Sequence, residues 1–309
     1  MSNRALVTGA AGFIGSNLCR TLVEKGWNVT GVDDLSGGHL ELVEGIKGLR
    51  MVLNDFASDF ILDEIKEGNF DVVFHLAAIP RVSYSVENPA ETTLNNVAKT
   101  TKLMETCRGK INRFVFSSSS SVYGGADDLP TPTSYLRDPK SPYAWQKSTI
   151  EDLLRMFGKL YDFDSVCLRY FNVFGPNQYG DSPYSTAISA WCHAVKHGTP
   201  LRKDGSGEQS RDMCYVDNVV DVNIRAANHE GTFRGEAFNV ACGDRTSNNQ
   251  ILAKFQEKFG ELNIDQAPFR AGDVMHTQAD ISETERVFGY KPLVRFWDGL
   301  DKTFEWWGI

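Results

Sequence analysis

The chain has 309 residues, 41% hydrophobic and 23% charged, which is ordinary globular usage and excludes a disordered chain. Lysine and arginine total 32 against 40 aspartates and glutamates, a net charge of −8, so an extended nucleic-acid or anionic-membrane surface is not expected. No apolar run reaches the roughly 18 residues of a spanning helix, and the apolar start is broken by Gly9, Gly12 and Gly15, unlike a leader segment.

The first half alternates short β-rich runs with longer helical patterns. Residues 5–8 read as a strand and 13–25 as a helix stopped by Gly26. Strands at 29–33, 52–54 (the weakest) and 72–76 follow, then helical sequence at 92–108 and a strand at 113–117. Pro142 opens a helix through about Asp162, using proline's preset φ at a helix start, and 166–169 is a further strand. This alternation predicts an α/β fold, a doubly wound parallel sheet with helices on both faces. Residues 174–184 read as loop, 187–197 as helix, 204–210 as a glycine-rich loop and 212–216 as a strand. A strand at 237–240 and helices at 250–259 and 300–306 complete the reading. No linker separates the halves, so the second is expected to interleave with the first.

Gly9, Gly12 and Gly15 lie between the first strand and the first helix, in Thr8-Gly-Ala-Ala-Gly-Phe-Ile-Gly15. Glycine there permits a tight turn, backbone approach to a pyrophosphate and close helix packing, while the helix N-terminus favours negative charge. The spacing is G-x-x-G-x-x-G rather than G-x-G-x-x-G, so its position and an acid at the end of strand two carry the argument. That acid is Asp33, with Asp34 as the competing candidate. A carboxylate there accepts from a ribose diol and repels a 2′-phosphate, which predicts NAD rather than NADP. Asp55 and Phe56, after strand three, are candidates for the adenine edge.

Tyr143 and Lys147 stand one turn apart at the start of a helix, so both face the same way. An ammonium beside a phenol favours phenolate, which makes a base. The serine run Ser117–Ser121 ends strand five, at the sheet edge where ligands of doubly wound folds bind.

Further motifs are His75-Leu-Ala-Ala78, Ser117–Gly124, Arg169-Tyr-Phe-Asn172, Arg211-Asp-Met-Cys-Tyr-Val-Asp217 and Arg270-Ala-Gly-Asp273. Together with the glycine loop and the Tyr–Lys pair, they resemble the extended short-chain dehydrogenase/reductases over essentially the whole chain. The resemblance implies a Rossmann-type NAD-binding domain at 1–174, rejoined by about 211–241, and a smaller, mainly substrate-binding α/β domain at 175–309. It implies catalytic roles for Ser119, Tyr143 and Lys147. Cofactor contacts are implied at Gly9, Gly12, Phe13, Ile14, Gly15, Asp33, Asp34, Asp55, Phe56, Leu76, Ala77, Ala78, Asn96, Tyr143 and Lys147.

The C-terminal motifs point to nucleotide-sugar enzymes. Dehydratases of this branch carry an Asp-Glu pair where Ser120 and Ser121 stand, and decarboxylases a Glu at Ser121; this chain has neither acid. It looks most like UDP-sugar 4-epimerases, which implies sugar contacts at Ser119, Ser120 and Tyr143, a contact of Asn172 with the phosphates or the sugar, and pyrophosphate contacts at Arg211 and Arg270. Asp273 would hold the uridine ribose. Thr277 falls where galactose-restricted enzymes carry tyrosine, and its smaller side chain leans the reading toward an N-acetylated sugar, with use of UDP-glucose also open. Rival readings are a different-carbon epimerase, a 4-ketoreductase and, more remotely, a non-catalytic NAD sensor.

The six cysteines form no CxxC pair, which suggests buried thiols in a reducing cytoplasm. No metal-ligand constellation is expected, and His75 reads as structural. The family likeness implies a homodimer through the helices at 92–108 and 142–162, with Leu103, Ile150 and Leu154 compatible. Trp297, Trp306 and Trp307 read as packing residues.

Overall fold

Arg4–Thr8 form β1, buried at every position after Arg4. Continuous burial is what a parallel strand covered on both faces requires. The computed structural model describes residues 3–181, 185–269 and 274–309. After β1 come α1 (Phe13–Glu24), β2 (Asn28–Asp33), β3 (Leu49–Leu53), α2 (Asp59–Lys66) and β4 (Val72–His75). Short helices α3 (Val82–Glu87) and α4 (Pro89–Thr93) lead through a π-helical stretch, Leu94–Lys99, into α5 (Thr100–Cys107). Then come β5 (Arg113–Ser119), α6 (Pro142–Tyr161), β6 (Ser165–Tyr170) and β7 (Asn172–Phe174). The remainder runs α7 (Ala187–His197), β8 (Leu201–Asp204), β9 (Ser210–Arg211), β10 (Met213–Tyr215), α8 (Val216–Asn228) and β11 (Arg234–Val240). It ends with β12 (Thr246–Ser247), α9 (Asn248–Phe259), β13 (Ile264–Ala267), α10 (Ser282–Phe288) and α11 (Phe296–Trp307).

Seven strands form one sheet in the order β3-β2-β1-β4-β5-β6-β11, every pair parallel. The chain winds outward from β1 to β3, then restarts at β4 and winds the other way. The reversal opens a crevice beyond the carboxyl ends of β1 and β4, where doubly wound folds bind ligands. Alternate side chains feed two cores. Ala5, Val7, Val115, Val166 and Leu168 face α1 and α8, meeting Leu18, Leu22, Val219 and Val222. Leu6, Phe114, Phe116 and Cys167 face the other way, onto Ile61, Leu62 and Ile65 of α2, Leu103 and Met104 of α5, and Ile150 and Leu154 of α6. Full burial of each such large side chain stabilises by about 1.5–3 kcal/mol. Leu103, Ile150 and Leu154 are therefore core residues of the single chain.

Three two-stranded sheets complete the fold: β7 with β10, β9 with β12, and β8 with β13. An aromatic chain joins α7, α9 and α11, with ring centroids 5.7 Å apart for Trp191–Phe255 and 4.9 Å for Phe255–Phe304.

The structure corrects several sequence expectations. The predicted strand at 212–216 stops at Tyr215, and Val216 begins α8, which the sequence reading did not assign. The valine-rich run carries β-propensity, but Val216, Val219, Val220 and Ile224 are buried on one helical side, and packing overrides propensity. Helices α2 and α10 and strands β8 and β13 are likewise absent from the sequence reading, each being only four to eight residues long. The third strand starts at Leu49, the helix expected at 92–108 begins as α4 at Pro89, and the last helix starts at Phe296. Trp307 is buried, but Trp297 is 42% exposed and is not a core residue. Among the described residues, no helix is long and apolar enough to cross a membrane.

Candidate active site

The glycine loop joins β1 to α1 at the crevice. Gly9 has φ +71°, and a Cβ there would lie 2.8 Å from the Ala77 amide nitrogen. A Cβ on Gly15 would lie 1.9 Å from the Gly9 carbonyl oxygen. These two glycines let the loop lie against the end of β4 and the helix close on the loop. The N-terminus of α1 has no side-chain cap, which leaves the amides around Phe13, Ile14 and Gly15 suited to an anion.

Asp33 ends β2 beside this loop. Its buried carboxylate accepts from Ala11 N at 3.0 Å and Leu35 N at 2.8 Å, one bond per oxygen. No lysine or arginine among the described residues forms an ion pair with it. Burial raises its pKa, against the pull of the Leu35 and Ala11 bonds. A carboxylate with spare lone pairs and no cation suits a ribose diol and repels an added phosphate, so these residues fit NAD. Asp34 is exposed and accepts from the Ser36 amide and hydroxyl.

Past β4, the half-buried Leu76, Ala77 and Ala78 border the glycine loop. The Ala77 amide donates to the Thr8 hydroxyl at 3.1 Å. His75 is held between Thr8 (2.8 Å) and Thr100 (2.9 Å), and burial, then the Lys147 charge, lowers its pKa to about 3. It is a neutral core histidine. Asn96 donates to Ile79 O and Gln146 Oε1 and accepts from Ile79 N and Asn95 Nδ2. That uses both donors and both lone pairs of its amide. Asn96 therefore holds the segment after β4 to the start of α6. Asp55 pairs with Lys99 and caps Ala57 N at 2.7 Å. The Phe56 ring is buried edge-on to His75.

Tyr143 sits at the start of α6, after Pro142 and the N-cap Ser141. Its amide donates to Ser85 Oγ at 3.1 Å, which docks α3 on this helix start. Burial pushes the phenol up to about 12, while the hydrogen bond with Ser119 and the charge of Arg81 pull it back. Lys147, one turn on, is buried and donates to Ser117 O at 2.6 Å, with Nζ 5.8 Å from the Tyr143 ring centroid. Burial draws the ammonium down to about 7, and Cys167 and Glu151 oppose the fall. The Ser119 hydroxyl also accepts from Ser121 N at 3.2 Å, and half-buried Ser120 opens the turn that follows β5. A phenol, an ammonium and a hydroxyl thus meet at one strand end, an arrangement suited to moving a proton on and off a bound alcohol.

Asn172 and Thr277 are joined by a 3.2 Å hydrogen bond from Nδ2 to Oγ1. Arg211 lies in β9 and donates to the carbonyls of Ser210 and Met275, each at 3.1 Å. Between them Asp212 is wholly buried and accepts from the amides of Cys242, Gly243 and Ala279. Burial raises this carboxyl to about 7 against those three bonds. Sequence reasoning missed Asp212 as a clamp that gathers the segments bearing Asn172, Arg211 and Thr277. Arg270 and Asp273 lie outside the described residues. Sequence reasoning also missed Ser85, Arg81 and Glu151; for Glu151 a signal existed, an acid in the stripe Ala144-Lys147-Ile150-Glu151-Leu154.

A doubly wound parallel sheet whose reversal point brings a glycine-lined helix start to a buried aspartate defines a dinucleotide-binding protein, here with a Tyr–Lys pair at the same edge. The chain belongs to the NAD dependent epimerase/dehydratase family, whose sequence profile matches residues 5–241. It is 34% identical to a UDP-glucose 4-epimerase of Mycolicibacterium smegmatis, over 98% of this chain and 97% of that one. A UDP-N-acetylglucosamine 4-epimerase of Methanobrevibacter ruminantium, solved with UDP-N-acetylmuramic acid, superposes with a TM-score of 0.93 at 34% identity, over 99% and 98% of the chains. A UDP-glucose 4-epimerase of Thermotoga maritima with UDP-glucose gives 0.92 at 30% identity, over 99% and 98%.

Proposed function

We propose that the chain inverts C4 of a UDP-hexose through a transient 4-keto sugar, accepting N-acetylated sugars and also UDP-glucose. The observation that carries this reading is the meeting of Ser119, Tyr143 and Lys147 at the end of β5, beside a crevice that fits NAD. NAD, when bound, supplies the acceptor and donor of the C4 hydride. Tyr143 takes the C4 hydroxyl proton and later returns it. Lys147, anchored on Ser117, favours the phenolate and reaches the nicotinamide ribose. Ser119 shares a hydrogen bond with the C4 oxygen and holds it toward Tyr143, with Ser120 beside the sugar. Asn172 and Thr277 border the hexose, and Arg211 and Arg270 pair with the pyrophosphate through forked donors. Asp273 takes the uridine ribose. The sheet-centred part, 1–174 with about 211–241, binds NAD, and the rest of 175–309 mainly binds the sugar nucleotide.

The absence of an acid at Ser120 and Ser121 favours epimerisation over dehydration or decarboxylation. We also propose a homodimer through the exposed side of the helices that carry Leu94, Trp145 and Met156, three large apolar side chains open to solvent in the single chain. Light scattering at micromolar concentration tests this, and a monomer rejects it.

The activity test uses purified protein without added NAD. UDP-N-acetylglucosamine and UDP-glucose are incubated separately and both C4 epimers followed by proton NMR. Conversion to an equilibrium mixture is expected, and the rate ratio ranks the sugars. No conversion of either sugar, with NAD added, rejects the proposed reaction.

A further inference from the structure

Glu151 stands one turn after Lys147 on α6, with its side chain wholly buried. Its Oε1 accepts from the Ser118 hydroxyl at 2.6 Å and Arg169 Nε at 2.9 Å. Its Oε2 accepts from Arg169 Nη2 at 2.7 Å and Arg137 Nη1 at 3.4 Å. Arg169 is held in turn by Tyr123 OH at 2.8 Å and Thr133 O at 2.9 Å. A buried ion pair is weak grounds for stability, since an apolar pair of similar size often does as well. The bond to Ser118 is what an apolar pair would not supply. Ser118 is the residue between Ser117, whose carbonyl holds Lys147, and Ser119, which bonds Tyr143.

We propose that Glu151 is a positioning residue for the reaction proposed above. Through Ser118 it locks the end of β5 to α6, keeping the Ser117 carbonyl and Ser119 hydroxyl in register with Lys147 and Tyr143. The inference rests on that reading of the site. Its charge has a second consequence. The titratable groups facing Lys147 are Tyr143 and Glu151 from α6, Cys167 from β6 and His75 from β4, while β5 offers the Ser117 carbonyl and the Phe116 ring. Glu151 itself faces Arg169 and Arg137. Of the groups facing Lys147, Glu151 is the carboxylate, so its anion supports the ammonium against burial.

Two variants of the full-length protein test this. Ser118→Ala leaves the ion pair whole and removes the link to β5. Its kcat should fall about tenfold or more, with KM within about twofold, and with bound NAD and Tm retained. Glu151→Gln removes the charge. With the lysine titrating below the phenol, the acid limb of its kcat profile should move about one pH unit lower. In NAD-free protein carrying 13C-lysine, the Lys147 titration midpoint should fall by a similar amount. A Ser118→Ala enzyme with wild-type kcat overturns the proposal, as does a folded Glu151→Gln protein with unmoved limb and midpoint. If Glu151→Gln does not fold, Ser118→Ala alone decides. A wild-type protein inactive on both UDP-sugars would instead reject the reaction, while the lysine titration would still report on the Glu151 charge.

Discussion

Lys147 reaches from α6 to the end of β5 and donates through Nζ to the carbonyl of Ser117 at 2.6 Å. The bond is formed within the chain itself, so the lysine is in place before any ligand arrives. Pre-placement of this kind removes reorganisation from the reacting step.

Burying that lysine has a measurable signature. In the folded chain burial draws it from 10.5 to about 7. Between those values the unfolded chain binds the extra proton, so folding stability rises with pH across the window as the cost of burying the ammonium is lifted, a cost that is full below it. Urea melts of NAD-free protein at pH 7, 8.5 and 10 should show a steeper rise than melts of Lys147→Met. Equal slopes in the two proteins would remove Lys147 as the source.

Tyr143→Phe keeps the ring and loses the phenol. Turnover should drop by about 10²–10⁴-fold, with bound NAD and Tm near wild type. In the wild type, burial outweighs the Ser119 bond and the Arg81 charge and leaves the phenol at about 12. The acid side of the kcat profile should therefore rise with pH as the phenolate forms. Turnover of the Phe variant at wild-type rate would dismiss Tyr143 as the base.

The glycine loop predicts unequal tolerance of a methyl group. At Gly15 a Cβ would sit 1.9 Å from the Gly9 carbonyl oxygen; at Gly12 the same atom is 3.2 Å away. Gly15→Ala should cost about 3 kcal/mol or more and abolish retained NAD, whereas Gly12→Ala should fold and bind NAD more weakly. Thermal melts and the nucleotide released on denaturation read both outcomes. A Gly15→Ala protein with wild-type Tm would contradict the packing described here.

Thr277 bonds Asn172 and, on the proposed reading, borders the sugar. Thr277→Tyr should lower kcat/KM for UDP-N-acetylglucosamine by about 10–200-fold relative to UDP-glucose, as expected when a pocket loses volume. The ratio of the two rates, measured side by side, is the readout. An unchanged ratio would place the N-acetyl group elsewhere.

The sequence made the local features legible. Gly9, Gly12, Gly15 and Asp33 belong to a single strand–turn–helix–strand unit, and Tyr143 with Lys147 to one helical turn. Such short-range geometry follows from element type alone. What stayed hidden depends on distant partners. Asp212 reads as part of a strand until three amides from residues 242, 243 and 279 are seen to converge on it. Asn96 reads as one polar residue of a helix until its amide is seen to reach Ile79, Asn95 and Gln146. Val216 reads as the end of a strand, since valine favours extended backbone; the burial that makes α8 a helix comes from α1 and the sheet.

The order of the large sheet also bears on how the chain is made. β6 lies between β5 and β11, and β11 is supplied by residues 234–240, long after the other six strands. A nascent polypeptide leaving the ribosome therefore carries β6 with a bare edge until about three-quarters of the chain has emerged, while the Tyr–Lys helix beside it is already synthesised. An uncovered parallel edge of this kind invites wrong pairing. Synthesis arrested short of residue 240 should yield a species that chaperones hold, and that becomes protease-resistant only once β11 is released.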